Sequence, residues 1–246
     1  MSRSFILLRL RAARAYIPLM NQKAAKARRI TFAVEGSGRV SGLLCTPKQA
    51  TACYVLAHGA GAGMTHPFME MIAGALAQRH IATLRYQFPY MEQKSRRPDP
   101  PKVAESCVHA AVEEAAKLAP GLPLIAGGKS FGGRMTSQAQ AHAPLPGVRG
   151  IVFLGFPLHP AGKPSDARGE HLANVHVPML FLQGTRDKLA ELSLLEPLCA
   201  RLAKATLHVV DDADHSFHVL ARSGRKDADV MVELADAIAA WATRVI

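Results

Sequence analysis

Ser130, Asp187 and His215 are the side chains whose types, surroundings and order along the chain suit covalent chemistry. Ser130 lies in Gly128-Lys129-Ser130-Phe131-Gly132, a G-x-S-x-G pattern. In that pattern the serine occupies a tight strand-to-helix turn that exposes its hydroxyl above a sheet. The flanking glycines let neighbouring backbone approach without a Cβ clash, and the following helix aims its N-terminal dipole at developing negative charge. A serine hydroxyl needs a base, and the base needs a carboxylate to orient it. Asp187 follows the apolar stretch Pro178–Leu182, with Gly184 permitting a turn, and His215 follows a stretch ending at Val210. Both sit where ligands bind in open α/β sheets, outside the carboxyl ends of strands. The plainer readings are a turn or cap aspartate and a solvated loop histidine. Asp211, Asp212 and Asp214 are rival carboxylates, too close in sequence to His215 to be preferred, and His218 is the rival base.

An acyl-transfer site also needs backbone donors preset for an oxyanion. Phe131, directly after the serine, supplies one N–H. The second is expected from His58-Gly59-Ala60-Gly61-Ala62-Gly63, from Ala60 or alternatively Gly61, with His58 fixing the loop by hydrogen bonding. Candidate substrate contacts are His58, Tyr86, Phe88, Tyr90 and His159, with Met91, Lys163 and the Arg96-Arg97 pair at the rim. Lys129 and Arg134 add positive potential near the serine, although Lys129 reads equally well as solvated or paired with a carboxylate. Gly128-Lys129-Ser130 also resembles the end of a phosphate-binding loop. That motif needs a glycine where Pro123 stands, and proline has no N–H for a phosphate. No metal-ligand spacing is found among the histidines and cysteines, and no cofactor is expected.

The elements that must position these groups follow a strand–helix rhythm. Ile30–Glu35 and Val40–Thr46 flank Gly36-Ser37-Gly38 as a β-hairpin. Strands are predicted at Cys53–Ala57, Ile81–Arg85, Leu122–Ala126, Val148–Leu154, Pro178–Gln183 and Thr206–Val210. Helices are predicted at Pro67–Arg79, Lys102–Leu118, after Ser130 to about His142, at Ala190–Lys204 and at Asp227–Arg244. Tyr86–Pro101 and Pro157–Val177 read as loops. This pattern gives an α/β fold: a mostly parallel central sheet, an antiparallel N-terminal hairpin, and helices on both faces. The short connection between Leu154 and Pro178 leaves no room for a large cap domain.

The net charge of +11 is not evenly spread over the 246 residues. Residues 1–29 carry eight Lys or Arg and no acid, so the remaining chain is close to neutral. A nucleic-acid protein would instead spread basic groups over a docking face. The reading is a basic tail over 1–29, disordered, targeting or mis-started at Met1 rather than Met20, followed by one domain over 30–246. A short basic amphipathic helix on a membrane surface is a third reading of the tail; no stable membrane insertion is expected. Cys45, Cys53, Cys107 and Cys199 are scattered, as buried thiols of a reducing, cytoplasmic protein would be.

The stretches AHGAGAGMTHPFM, RYQFPYM, GGKSFGGRM, GFPLHPAGKP, LFLQGTRD and DADHSF together resemble the α/β-hydrolase superfamily across roughly residues 30–246. More narrowly, they resemble the group containing testis-expressed protein 30 and the KAT8-regulatory NSL complex subunit 3 hydrolase-like domain. The resemblance implies a dienelactone-hydrolase-like core without a large lid, and supports Ser130, Asp187 and His215 as nucleophile, acid and base. The expected function is that of a serine hydrolase acting on a small ester-type substrate (carboxylic ester, lactone or thioester; EC 3.1.1.-). A noncatalytic interaction module on the same scaffold is the alternative, since the animal complex subunit binds partners. A lipid-surface enzyme recruited by the tail is a third.

Overall fold

In a computed structural model the chain is described at residues 6–8 and 26–246. Its strands are β1 Ile6–Leu8, β2 Arg28–Val34, β3 Gly38–Cys45, β4 Ala52–Ala57, β5 Ile81–Tyr86, β6 Leu124–Lys129, β7 Val148–Leu154, β8 Met179–Gly184 and β9 Ala205–Val210. Its helices are α1 Pro67–Ala77, α2 Pro89–Glu92, α3 Pro101–Leu118, α4 Phe131–His142, α5 Leu192–Arg201 and α6 Asp227–Val245, with a 3₁₀ helix at Ala167–Asn174. Among the described residues the strands form one nine-stranded sheet in the order β1-β9-β8-β7-β6-β4-β5-β3-β2.

The β2–β3 and β3–β5 pairings are antiparallel and the rest are parallel. This is the predicted hairpin at one edge of a parallel sheet. The order reverses at β4, which lies between β5 and β6. At such a switch point the connections leave in opposite directions and open a crevice at the strand ends. His58 leaves the end of β4 and Ser130 the end of β6, so the reversal brings the glycine-rich loop beside the serine.

Strand alternation divides the core between the two sheet faces. Cys53, Val55 and Ala57 of β4 join the cluster with Phe153, Phe181 and residues of α3 and α4. Ala52, Tyr54 and Leu56 join the cluster with residues of α1 and α6, including Ile72, Leu76 and Trp241. All six residues of β4 are buried, as a central parallel strand covered on both faces must be. The connection from β7 to β8 holds the 3₁₀ helix and no inserted domain.

The structure differs from the sequence reading at several boundaries. β6 runs on through the two glycines to Lys129, because Gly127 and Gly128 still pair with β4 and β7. A short helix, α2, interrupts the loop after Tyr86, started by Pro89 at its first position. Arg28 and Arg29 belong to β2 and pair with Leu44 and Leu43. The reading of 1–29 as a tail otherwise falls outside the described residues, apart from β1, which adds a parallel edge strand to β9. No helix among the described residues is long and apolar enough to cross a membrane.

Candidate active site

The turn carrying Ser130 is shaped by contacts on both sides. Ser130 has φ 49° and ψ −115°, a conformation L-residues seldom adopt. Such a backbone costs about 1–3 kcal/mol and persists only where the surroundings hold it. Here the glycines do so. A Cβ on Gly128, at φ +157°, would lie 2.2 Å from the Ala57 carbonyl oxygen, and one on Gly132 would lie 2.5 Å from that of His58. Any side chain at either position would push β6 and α4 away from β4 and undo the turn. The Ser130 N–H donates to the Leu154 carbonyl at 3.2 Å, fixing the other side to β7.

The hydroxyl raised by this turn meets His215. Ser130 Oγ lies 2.8 Å from His215 Nε2, and His215 Nδ1 lies 2.6 Å from Asp187 Oδ2. The three candidates, brought from the ends of β6, β8 and β9, therefore form one hydrogen-bonded row. The Asp187 side chain is fully buried, and the imidazole keeps 22% of its surface exposed, open to a substrate and to water. The carboxylate is held from three directions. Besides His215, Oδ2 accepts from Gln183 Nε2 at 2.5 Å, and Oδ1 accepts from the Leu189 N–H at 2.7 Å.

Gln183 is a residue the sequence reading passed over as the end of a strand. It is fully buried, and its Oε1 accepts from the Phe156 N–H at 3.0 Å. That bond fixes which end of the amide faces Asp187. Gln183→Leu would leave the Phe156 N–H and one carboxylate lone pair without partners. The expected cost is about 1–3 kcal/mol of stability, with turnover falling about tenfold as Asp187 loses alignment; thermal melting and steady-state rates check both.

The loop carrying His215 closes on itself. Asp214 Oδ1 accepts from the N–H groups of Ser216 at 2.8 Å and His218 at 3.0 Å, and Ala213 bridges to Val219. The rival groups sit elsewhere. His218 is exposed and bonded to Asp227, which raises its pKa, and Asp211 and Asp212 are exposed.

A second serine–histidine pair lies deeper. Ser137 Oγ is 2.8 Å from His171 Nε2, but Ser137 is fully buried within α4 and its hydroxyl also meets the Arg134 carbonyl. Burial, with Arg134 beside it, pushes the His171 pKa down to about 4. Among the described residues no carboxylate accepts a hydrogen bond from that imidazole. The pair joins α4 to the 3₁₀ helix, whereas Ser130, His215 and Asp187 meet past the carboxyl ends of β6, β9 and β8, where the imidazole is partly exposed.

In the glycine-rich loop, His58 is a strut. Its Nδ1 lies 2.7 Å from the Gly59 carbonyl and its Nε2 accepts from the Phe88 N–H at 3.1 Å. Burial pushes its pKa down to about 4, so the ring is neutral near pH 7 and both nitrogens are engaged. A Cβ built on Gly59 would lie 3.8 Å from Ser130 Cβ, which places this loop against the Ser130 turn. The Gly61 N–H donates to the Tyr90 hydroxyl at 2.9 Å, which leaves Ala60, exposed on the loop, as the uncommitted one of the two predicted donors. Phe131 opens α4, and a first-turn N–H has no partner inside its own helix.

The predicted substrate contacts face inward instead. His58, Tyr86 and Phe88 have no exposed surface, and Tyr90 and His159 have at most 2%. Tyr86 packs edge-on against Phe32 and Phe88, and Phe88 and Tyr90 pack against Phe131. His159 Nε2 accepts from the Glu191 N–H at 3.4 Å, tying the loop after β7 to the segment following Asp187. These rings support the site from beneath and offer no surface to a bound molecule in this arrangement. Arg96, Arg97 and Lys163 are exposed.

The family model described as an alpha/beta hydrolase domain matches residues 50–243. The chain belongs to the α/β-hydrolase domain family. The matched span runs from just before β4 into the last turn of α6 and holds all three residues of the row. Solved structures share the fold. A dienelactone hydrolase from Anabaena variabilis aligns with a TM-score of 0.74 at 21% identity, covering 91% of this chain and 99% of that one. A lidless serine hydrolase from Xanthomonas campestris aligns at 0.68 and 19%, covering 88% and 95%. The esterase domain of a Rhodothermus marinus protein aligns at 0.68 and 17%, covering 89% and 98%. Within this α/β-hydrolase the crevice at the β4–β6 switch point is the place where family membership and local geometry meet. Among the described residues no group of three or more His, Cys, Asp or Glu is arranged to hold a metal ion.

Proposed function

We propose that this α/β-hydrolase is a serine hydrolase that cleaves an ester-type bond (a carboxylic ester, lactone or thioester) through an acyl-enzyme on Ser130. The observation that carries this reading is the Ser130–His215–Asp187 row, with distances of 2.8 and 2.6 Å. Ser130 Oγ attacks the carbonyl carbon while His215 Nε2 takes the hydroxyl proton. Asp187 holds the proton on Nδ1 and stabilises the imidazolium. The Phe131 and Ala60 amides bind the oxyanion. The tetrahedral adduct collapses, His215 returns the proton to the leaving oxygen or sulfur, and water repeats the sequence to release the acid. The balance needs only ester and water, so no cofactor is invoked.

The finer placement, a dienelactone-hydrolase-like carboxylic ester hydrolase of the testis-expressed protein 30 and KAT8-regulatory NSL complex subunit 3 group, belongs to this proposal. It is supported by the quoted motifs and by the lidless architecture. A cytoplasmic location is part of it too, supported by four cysteines that are scattered along the sequence and buried in the fold. The proposed partner is a small ester-type substrate, and the proposed division is a leading segment followed by a catalytic domain, whose boundary β2 moves from residue 30 back to Arg28. A fluorophosphonate probe tests the reading. Labelling of the wild type that disappears in Ser130→Ala is the expected result. No labelling of a folded wild-type protein would overturn it in favour of a noncatalytic module.

A further inference from the structure

We propose that Lys129 is a positioning residue for the reaction proposed above, on which this inference rests: its ammonium ties the loop bearing His215 to the strand bearing Ser130. Lys129 ends β6, on the same sheet face as Ile125, because side chains two apart along a strand share a face. Its Nζ donates a hydrogen bond to the His215 backbone carbonyl. It also lies 5.1 Å from the centre of the Phe217 ring and 5.7 Å from that of Phe68. Those rings stack on each other at 5.9 Å, Phe217 from the His215 loop and Phe68 from α1. The cation therefore grips the loop at two points, the carbonyl of the base and the ring two residues on.

The fourth wall is Gly155, at φ +73°. A Cβ there would come within 3.1 Å of Lys129 Nζ and 3.4 Å of His215 Cε1 and Nδ1. Ammonium and imidazole thus occupy one small space, side by side. A buried ammonium is expensive to desolvate, and a methionine would fill the same gap between rings more cheaply. What the charge adds is a strong directional bond to the backbone of the base, held by cation–π contacts. Misplacing a reacting group by about 1 Å costs on the order of 100-fold in rate, so fixing the Cα of His215 bears directly on turnover.

The groups facing the ammonium are Asp187 after β8 and Asp214 and His215 after β9, with Phe68 and Phe217 as uncharged walls. Burial lowers the Lys129 pKa to about 8, against the opposing pull of Asp187 and Asp214. The proton is lost as pH rises through that value, so the tether is charged below about pH 8 and weakens above it.

The test compares full-length wild type, Lys129→Met and Lys129→Arg. It measures fluorophosphonate labelling rate and p-nitrophenyl acetate hydrolysis across pH, and amide hydrogen exchange over residues 211–219. In the wild type, labelling and kcat are expected to decline on an alkaline limb near pH 8. Lys129→Met should slow both by about 10- to 100-fold with KM little changed, lack that limb, and exchange faster in the loop. Lys129→Arg, permanently charged, should recover rate and shift the limb beyond pH 8. An alkaline limb left in place by Lys129→Arg would overturn the proposal even if Lys129→Met fails to fold. So would unchanged loop exchange in a folded, labelled Lys129→Met. Absence of labelling in the wild type would instead remove the serine-hydrolase reading, and this one with it.

Discussion

Ser130→Ala and His215→Ala are each expected to lower kcat by about a millionfold, and the double variant no further. The reason is that the two groups act as one unit. In the proposed reaction the Ser130 hydroxyl attacks only as His215 Nε2, 2.8 Å away, takes its proton. Without the base the hydroxyl stays protonated, and without the hydroxyl the base has nothing to activate. Binding and the two oxyanion donors survive in every variant and should leave residual catalysis of about 10³- to 10⁴-fold over water. Alanine at 130 keeps the turn, because the crowding by the Ala57 and His58 carbonyls that excludes side chains at 128 and 132 does not involve the serine hydroxyl. Steady-state rates on an activated ester, with circular dichroism to confirm folding, check the result. Losses that multiply in the double variant would separate the two residues.

Asp187→Asn is expected to cost about 10⁴-fold in kcat with the fold intact. The carboxylate accepts from His215 and Gln183 on Oδ2 and from Leu189 on Oδ1. An asparagine must present an NH₂ to one side. Turned towards His215 it meets Gln183 Nε2, donor to donor, and stabilises the tautomer of His215 that cannot accept the serine proton. Turned the other way it meets the Leu189 N–H, and only a neutral oxygen faces the imidazole. Both orientations lose the negative charge that stabilises imidazolium. KM should move little, since Asp187 is buried and away from any substrate. Full turnover in this variant would remove Asp187 from the mechanism.

The sheet was legible from sequence because its signals are local. Val148–Leu154 and Pro178–Gln183 are apolar runs of strand length, and the helices between strands show their own period. The three residues of the row were legible because each follows such a run, in the order serine, carboxylate, histidine. What stayed hidden depends on side-chain direction and on contacts between distant elements. Gln183 reads as the last residue of a strand until Phe156 and Asp187 are seen on either side of its amide. Lys129 reads equally as solvated or paired; only the folded loop reveals a carbonyl and two rings around it. Tyr86, Phe88, Tyr90 and His159 were placed near the site from sequence, but packing against neighbouring rings and backbone buries them. β1 has three residues and no turn signal beside it, so nothing in the local pattern announces it.

The unusual backbone of Ser130 is imposed by the Ala57 and His58 carbonyls at and just past the end of β4 and by a bond to Leu154 at the end of β7. Warming that frays the periphery leaves this constraint untouched. The Ser130 turn itself should therefore persist until the central strands collapse, so earlier loss of activity on warming would report the His215 loop instead.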